Sequence, residues 1–210
     1  MTANGVALCL ALTLSWGCGV AGAPMPPGPL PPAAPDVRII NTPDGLELYS
    51  ASPPRDIDGK RIDEPVELRL FPGTGPVTGP PVARATAQPI RLGRRPSVST
   101  GRLVAYRGRR ASRPSSPIRL RWKAPPPAPT PIGFVDAGGQ ARLMWPPLPA
   151  EVTEVVVLRD SDPVRTLSAD VSTFTERPTR PRHRYQIIIR GETFRSGPSE
   201  AVTVTSHPVP

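Results

Sequence analysis

Proline constrains this chain more than any other residue type: 33 of its 210 residues are prolines. Globular proteins contain about 5% proline. Because proline lacks an amide hydrogen and clashes with the preceding turn, it interrupts helices, whereas β-proteins tolerate it in loops and at strand edges. Apart from the N-terminus, no proline-free stretch of a dozen residues has apolar side chains at helical spacing. Several strand-like apolar runs remain, which argues against a disordered chain, so the sequence predicts an all-β fold.

Residues 1–23 have the features of an export signal. Val6 to Trp16 is an apolar run with the length of a signal-peptide core, shorter than the roughly 20 residues that a membrane span needs. Two processing sites compete. Leu14 to Cys18 resembles a bacterial lipobox, in which the cysteine is acylated, whereas Ala21 to Ala23 fits cleavage that releases a soluble chain. We expect a lipoprotein of the bacterial cell envelope, held on a membrane by lipidation of Cys18; a soluble secreted or periplasmic protein is the alternative.

Proline-rich segments divide the rest of the chain. Residues 24–34 predict an extended polyproline II spacer that lifts the folded part off the membrane, with a disordered tail as the alternative. A second proline-rich linker at residues 125–131 separates two segments, each long enough for a small domain. We therefore expect one domain over residues 35–124 and another over residues 132–206.

An internal repeat lies near the end of both expected domains. Ser112 to Leu120 and Ser196 to Val204 share the pattern S-x-P-S-x-x-(I/V)-x-(L/V) and lie 84 residues apart. Each copy follows an apolar stretch that ends in Arg-Gly. Alternating valine and threonine at Ala201 to Thr205 predicts a strand with one buried face. The spacing is a plausible period for two β-sandwiches.

The second segment resembles the fibronectin type III family, which has seven antiparallel strands in two packed sheets. The residues that carry the resemblance are Ala141 to Pro147, Val152 to Arg159, Tyr185 and the final Ser-x-Pro-Ser strand. The resemblance implies that Trp145 packs between the sheets. It also implies that Tyr185 forms a tyrosine corner, in which the phenol hydrogen-bonds the backbone upstream.

The first segment resembles the same family more distantly. Gly45 to Tyr49 stands where the tryptophan strand is expected, with Tyr49 in place of the tryptophan, and Pro65 to Phe71 alternates as a third strand. The resemblance therefore implies two tandem immunoglobulin-like β-sandwiches of the fibronectin type III kind. Such domains serve as spacers, adhesion modules and receptors, so the fold alone does not choose among these roles.

No residue pattern predicts catalysis, a cofactor or a bound metal. Cys9 and Cys18 both fall within the export signal, which leaves the expected domains without a thiol. We expect His183 in a solvated loop and His207 in the C-terminal tail, and neither has a carboxylate at the spacing of a catalytic triad. Asp56 to Asp63 lacks the ligand series of a calcium loop and predicts a turn. We expect a non-catalytic protein.

Arginine dominates the formal charge, which is +9 at pH 7. A basic strip near the end of the first domain is a candidate anion-binding site, because guanidinium groups bind phosphates in a bidentate manner. Its members are Arg107, Arg109, Arg110, Arg113, Arg119, Arg121 and Lys123. The strip lacks the repeated aromatic side chains on which bases stack, so nucleic acid is not expected. The sequence favours a structural or protein-interaction role with an envelope protein as partner; binding of an anionic glycan or glycolipid is the alternative.

Overall fold

The computed structural model describes residues 28–86 and 89–205, and every regular element in these residues is a β-strand. The strands, numbered along the chain, are β1 (Val37–Thr42), β2 (Gly45–Ser50), β3 (Glu67–Pro72), β4 (Ala83–Ala85), β5 (Ile90–Gly93), β6 (Thr100–Arg107), β7 (Arg110–Ala111), β8 (Ile118–Arg119), β9 (Ile132–Val135), β10 (Ala141–Met144), β11 (Val152–Arg159), β12 (Asp162–Ser168), β13 (Thr173–Glu176), β14 (Arg182–Gly191) and β15 (Val202–Thr205).

Strands β1 to β8 form the first sandwich, which consists of two antiparallel sheets. One sheet has the order β1-β2-β5 and the other the order β4-β3-β6-β7, with β8 also pairing with β6. Leucine side chains fill the space between the sheets, and Leu48, Leu70 and Leu103 are fully buried there. In β3, Leu68 and Leu70 alternate with more exposed residues, as a strand with one face in the core requires.

Strands β9 to β15 form the second sandwich, with sheet orders β13-β10-β9 and β12-β11-β14-β15. In β14, every second side chain is buried, and Tyr185, Ile187 and Ile189 are fully enclosed. Trp145 packs in the same core, and its indole Nε1 donates to the carbonyl of Val171 at 3.1 Å. Seven antiparallel strands in sheets of three and four are what the family resemblance implied, and the all-β fold class is confirmed.

The first Ser-x-Pro-Ser motif lies beside β6, between β7 and β8. The amide of Leu103 donates to Oγ of Ser115 at 3.0 Å, and the amide of Ala105 donates to Oγ of Ser112 at 2.9 Å. Both serines are buried. Their hydroxyl groups therefore satisfy buried amides of β6 where the motif interrupts the last strand of the sheet.

The second Ser-x-Pro-Ser motif repeats these bonds beside β14. The amide of Ile187 donates to Oγ of Ser199, and the amide of Ile189 donates to Oγ of Ser196, both at 3.0 Å. Both serines are again buried. The same bonds in both sandwiches show that the motif completes the edge of each sheet, which is a structural role.

Tyr185 is buried at the position expected for a tyrosine corner, but its hydrogen-bond partner differs from the expectation. The phenol donates to Oε1 of Glu176 at 2.7 Å, so a side-chain carboxylate takes the place of the implied backbone acceptor. Burial, reinforced by this hydrogen bond, raises the pKa of Tyr185. Arg159 pairs with the same carboxylate at 3.1 Å, so the phenol belongs to a charged network between the two sheets.

Tyr49 does not take the place of a core tryptophan, and this expectation was wrong. Successive side chains of a strand point to opposite faces. In β2, Leu46 and Leu48 face the core, so Glu47 and Tyr49 face outward. The hydroxyl of Tyr49 donates to Oε2 of Glu47 at 2.6 Å on that outer face.

The expectation that His183 lies in a solvated loop was also wrong. The residue belongs to β14 and its side chain is 4% exposed. Its Nδ1 lies 2.7 Å from Oδ2 of Asp160, and its Nε2 accepts a hydrogen bond from the amide of Arg180 at 3.1 Å. Because an amide can only donate, Nε2 carries no hydrogen in this geometry. His207 lies outside the described residues.

The proline-rich segment before β1 is bound to the first sandwich over part of its length. The carbonyl of Pro31 accepts from the amide of Ile57 at 3.1 Å, and the amide of Ala33 donates to the carbonyl of Arg55 at 2.7 Å. Pro32 between them is fully buried. Residues 31–33 of the expected spacer are therefore hydrogen-bonded to the first sandwich. Residues 24–27 and Cys18 lie outside the described residues.

Candidate functional site

The two sandwiches meet at a hydrogen-bonded junction. The junction comprises Arg38, Asn41 and Glu47 of the first sandwich and residues 192–195 of the second. The amide of Asn41 donates to the carbonyl of Thr193 and its carbonyl accepts from the amide of Arg195, both at 2.8 Å. The Asn41 side chain donates to the Thr193 carbonyl at 3.1 Å and accepts from the amide of Lys123 at 2.8 Å. Backbone and side chain of Asn41 thus both tie the sandwiches together.

Glu47 adds a charged contact to the junction. Its side chain is 7% exposed and lies 3.2 Å and 3.3 Å from Nη2 of Arg195 in the second sandwich. Nε of Arg91 lies 3.3 Å away on the first sandwich, and Tyr49 donates its hydroxyl hydrogen to the same carboxylate. Burial, reinforced by that bond, raises the pKa of Tyr49. The donors around Glu47 provide what a buried carboxylate requires.

One further contact extends the junction, and another lies beside it. The guanidinium of Arg38 donates through Nε and Nη2 to the carbonyl of Glu192, at 3.2 Å and 3.1 Å. Within the first sandwich, just before the linker, the indole of Trp122 donates to the carbonyl of Thr42 at 2.8 Å, and the guanidinium of Arg94 lies over its ring. The junction therefore combines backbone and charged contacts between the sandwiches, and the Trp122 contact lies next to it within the first sandwich.

Sequence reasoning predicted a stiff linker and missed the residues of the junction. These residues come from β1, β2 and the segment after β14, which are separated by about 150 positions along the chain. No periodicity or motif in a single sequence relates such distant positions. Asn41 has no sequence signal of its own, because asparagine is common in and near turns.

The cations predicted to bind anions lie along one edge of the first sandwich. Arg110 pairs with Arg107 at one end of β6, and Arg119 pairs with Thr100 at the other. Seven residue steps along a strand place these ends about 23 Å apart. Arg121 lies beyond the end of β8, so it does not share a strand face with Arg119. The cations form an extended row, which we call the arginine row.

Arg107 differs from the rest of the arginine row because it has an acidic partner. Its Nη2 lies 2.5 Å from Oε2 of Glu64, and this hydrogen bond lowers the pKa of Glu64. The remaining members are exposed and form no ion pair with a described residue; they are Arg109, Arg110, Arg113, Arg119, Arg121 and Lys123. Six cations of the row are therefore accessible to a ligand.

An apolar patch is exposed on the outer face of the second sandwich. The side chains of Ile132, Phe134 and Met144 are 70%, 41% and 41% exposed. Ile132 and Phe134 belong to β9, which is an edge strand of its sheet, and Met144 in β10 lies directly opposite Ile132. An exposed edge with apolar side chains is a surface on which a partner strand can dock.

Asp56, in the segment that lacks the ligand series of a calcium loop, has a structural role. Oδ1 of Asp56 accepts from the amides of Asp58 and Lys60 at 3.1 Å and 2.9 Å, which closes the turn expected there. Across residues 28–86 and 89–205, no three His, Cys, Asp or Glu side chains are arranged to hold a metal ion. Within those same ranges, no helix has the length and hydropathy needed to cross a membrane.

His183 and Asp160 lie in series with Thr179, whose hydroxyl is 3.2 Å from Nε2 of the histidine. The order of groups resembles a catalytic triad. However, the histidine ring is buried, and its Nε2 already accepts a hydrogen bond from the amide of Arg180. A hydrogen bond from the amide of Arg184 and another from His183 lower the pKa of Asp160. The series fastens the β11–β12 turn to the start of β14, which is a structural role.

Comparison with solved structures finds similar pairs or series of sandwiches. The FN1–FN3 domains of chicken CNTN1 are 14% identical, with 84% of this chain and 67% of that chain covered and a TM-score of 0.34. A two-domain fibronectin type III segment of chicken tenascin is 17% identical, with 83% and 99% covered and a TM-score of 0.35. Fibronectin(III)-like modules of Clostridium thermocellum CbhA are 12% identical, with 85% and 91% covered and a TM-score of 0.39.

No protein-family model and no curated protein matches the sequence. The fold assignment therefore rests on the strand order of the chain itself, in which each half has a three-stranded sheet packed on a larger one. The chain is a tandem of two fibronectin type III-like β-sandwiches.

Proposed function

We propose that this protein is a non-catalytic, exported envelope lipoprotein whose two sandwiches form one rigid module for binding another protein. The junction carries the proposal. Because hydrogen bonds and a buried carboxylate connect the sandwiches across the linker, the pair has a set length and direction. A rigid pair anchored at one end holds a docking surface at a fixed distance from a membrane.

The direction of the chain supports an anchor at the end opposite the junction. β1 begins at Val37 and ends at Thr42, next to the junction residue Asn41. The chain therefore enters the first sandwich at its far end, which we call the N-terminal pole. An acyl group on Cys18 would hold the pair by this pole and project the second sandwich outward.

The apolar patch around β9 supports protein binding by the second sandwich. Ile132 is its most exposed member, and one edge of β9 beside it pairs with no strand of the described residues. A strand of an envelope protein added to this edge would cover the patch.

The anchor is tested by the intact mass of the protein purified from its native membrane. We expect a chain that begins at Cys18 and carries acyl mass. An unmodified chain that begins near Pro24 would contradict the anchor and leave a soluble exported protein.

Site-specific photo-crosslinking in native cells tests the docking surface. A benzophenone side chain at Ile132 is expected to give one discrete adduct with an envelope protein, and the substitution Met144→Lys to abolish it. The same probe at Thr166, an exposed position on edge strand β12, is the matched control and is expected to give none. Equal adducts from both positions, or none from Ile132, would contradict docking at β9.

A second candidate function is binding of an anionic glycan or glycolipid. It is favoured by the six exposed cations of the arginine row that have no ion pair with a described residue. Such binding weakens steeply with added salt, whereas a packed protein interface does not. Replacing Arg109, Arg110, Arg119 and Arg121 with glutamine is expected to abolish binding of purified lipopolysaccharide; unchanged binding would refute this function.

A further inference from the structure

We infer that the N-terminal pole of the first sandwich is a contact surface for anionic lipid headgroups of the anchoring membrane. The inference depends on the proposed lipid anchor. It divides the arginine row into two halves with different roles. The pole half is Arg109, Arg110 and Arg113, and the junction half is Arg119, Arg121 and Lys123. The pole half contacts the membrane and the junction half does not.

Strand register places Arg109 and Arg110 at the end where the chain enters, and Arg113 follows Ser112, which bonds Ala105 two residues inside that end of β6. β2 ends at Ser50, which pairs with Val37 at the start of β1. β3 begins at Glu67, which pairs with Tyr106 near the end of β6. The β2–β3 loop and the β6–β7 turn therefore both lie at the N-terminal pole.

The entering chain passes directly beside the pole half. A Cβ atom placed on Gly28 would lie 2.8 Å from Nη2 of Arg110, so the backbone at Gly28 runs against this guanidinium. Residues 31–33 then bind the β2–β3 loop. Cys18 precedes Gly28 by ten residues, which span at most about 36 Å when fully extended. An acylated Cys18 therefore keeps the pole close to the membrane.

Three of the four carboxylates of the β2–β3 loop, all except Asp58, are already engaged within the protein. Asp56 accepts backbone amides of its own turn. Asp63 pairs with Arg61 at 3.2 Å, and Glu64 pairs with Arg107. These contacts engage none of the guanidinium groups of Arg109, Arg110 and Arg113, which are exposed.

The pole also exposes an apolar side chain. Ile57 is 61% exposed at the tip of the β2–β3 loop, and its amide is bound to Pro31 of the entering segment. Guanidinium groups and an exposed apolar side chain at the same end of a domain suit the boundary between phosphate headgroups and acyl chains. Attraction to an anionic leaflet is felt within a Debye length of about 8 Å at physiological salt, so the tether favours contact by keeping the pole near the surface.

Vesicle co-sedimentation of the full chain tests the inference. Every sample carries Cys18→Ser, so no acyl chain contributes, and the vesicles are phosphatidylcholine with or without one-third phosphatidylglycerol. The pole variant combines Arg109→Gln, Arg110→Gln and Arg113→Gln. The matched control combines Arg119→Gln, Arg121→Gln and Lys123→Gln, which removes the same charge from the junction half.

The ratio of the affinities for vesicles with and without phosphatidylglycerol is expected to be lower by on the order of 100-fold in the pole variant. The same ratio is expected to be unchanged in the control. Ile57→Ser is expected to weaken binding while leaving its salt dependence unchanged. Equal losses in the two triple variants would overturn the inference and favour an extended polyanion. No effect of phosphatidylglycerol on the unsubstituted protein would also overturn it. Because no sample is acylated, neither result depends on whether Cys18 is lipidated in cells.

Discussion

At the scale of single residues, the second sandwich depends on a few side chains that combine burial with a polar bond. Trp145 is 5% exposed within the second core, and its indole nitrogen has a carbonyl partner. Tyr185 is fully buried and its phenol reaches Glu176. Such side chains contribute a large apolar surface without leaving a buried polar atom unsatisfied.

Trp145→Ala is expected to lower the free energy of unfolding of the second sandwich by about 3–5 kcal/mol, because it leaves a cavity between the sheets. Urea unfolding followed by circular dichroism measures the change. Met144→Ala at the exposed neighbouring position is the control and is expected to cost less than about 0.5 kcal/mol. A loss below about 1 kcal/mol for Trp145→Ala would mean that the core lies elsewhere.

Asp160→Asn is expected to change how stability depends on pH. The pKa of Asp160 is lowered in the folded protein by the amide of Arg184 and by His183, so folding favours the ionised carboxyl. Its contribution is present above the unfolded pKa of about 3.9 and is lost as the pH falls through the lower folded value. Urea unfolding at a series of pH values should therefore show less acid destabilisation in the variant; parallel curves would refute this role.

At the scale of elements, the edge strand that follows β6 or β14 is the recurring feature. In both sandwiches, two serine hydroxyl groups accept hydrogen bonds from amides of the preceding strand. The bonds lie where the Ser-x-Pro-Ser motif interrupts regular strand pairing. The bond between a hydroxyl and a buried amide replaces a bond that a continuous ladder would supply. The motif thus allows a proline at the sheet edge, because its serines accept the hydrogen bonds of the neighbouring strand.

Ser115→Ala and Ser199→Ala are each expected to destabilise their own sandwich by about 1–3 kcal/mol, because each leaves a buried amide without an acceptor. Amide hydrogen exchange locates the effect, which should appear in β6 for the first variant and in β14 for the second. Ser116→Ala, at an exposed position in the same motif, is the control. Equal effects of Ser115→Ala and Ser116→Ala would refute the proposed bond.

The elements differ in how well sequence patterns predict them. Alternation of buried and exposed side chains predicts β3 and the strands around both repeats, because period two is a local property. The same alternation in β2 predicts that Tyr49 points outward, because Leu46 and Leu48 face the core. The family resemblance led instead to the expectation that Tyr49 replaces the core tryptophan. His183 was misplaced because its arginine neighbours suggested a loop, although β14 starts at Arg182. The arginine row is divided between the two ends of β6 because of how β7 and β8 pair with that strand. No sequence pattern predicts this strand register.

At the scale of the whole molecule, the junction decides whether the chain is one rigid module or two sandwiches on a hinge. Asn41 binds both the segment after β14 and the amide of Lys123 just before the linker, and Glu47 reaches Arg195. Backbone hydrogen bonds and an ion pair both connect the two sandwiches, so the loss of one contact leaves the others in place. A fixed pair is also required for an anchor at the pole to orient the patch around β9.

The distribution of distances between spin labels on the two sandwiches tests this rigidity most directly. The labels replace the exposed residues Arg84 and Arg165, with Cys9 and Cys18 changed to serine, and double electron–electron resonance measures their separation. We predict one narrow distribution, which broadens when Asn41→Ala and Glu47→Gln are combined. A broad distribution in the unsubstituted junction, unchanged by those substitutions, would contradict a rigid module.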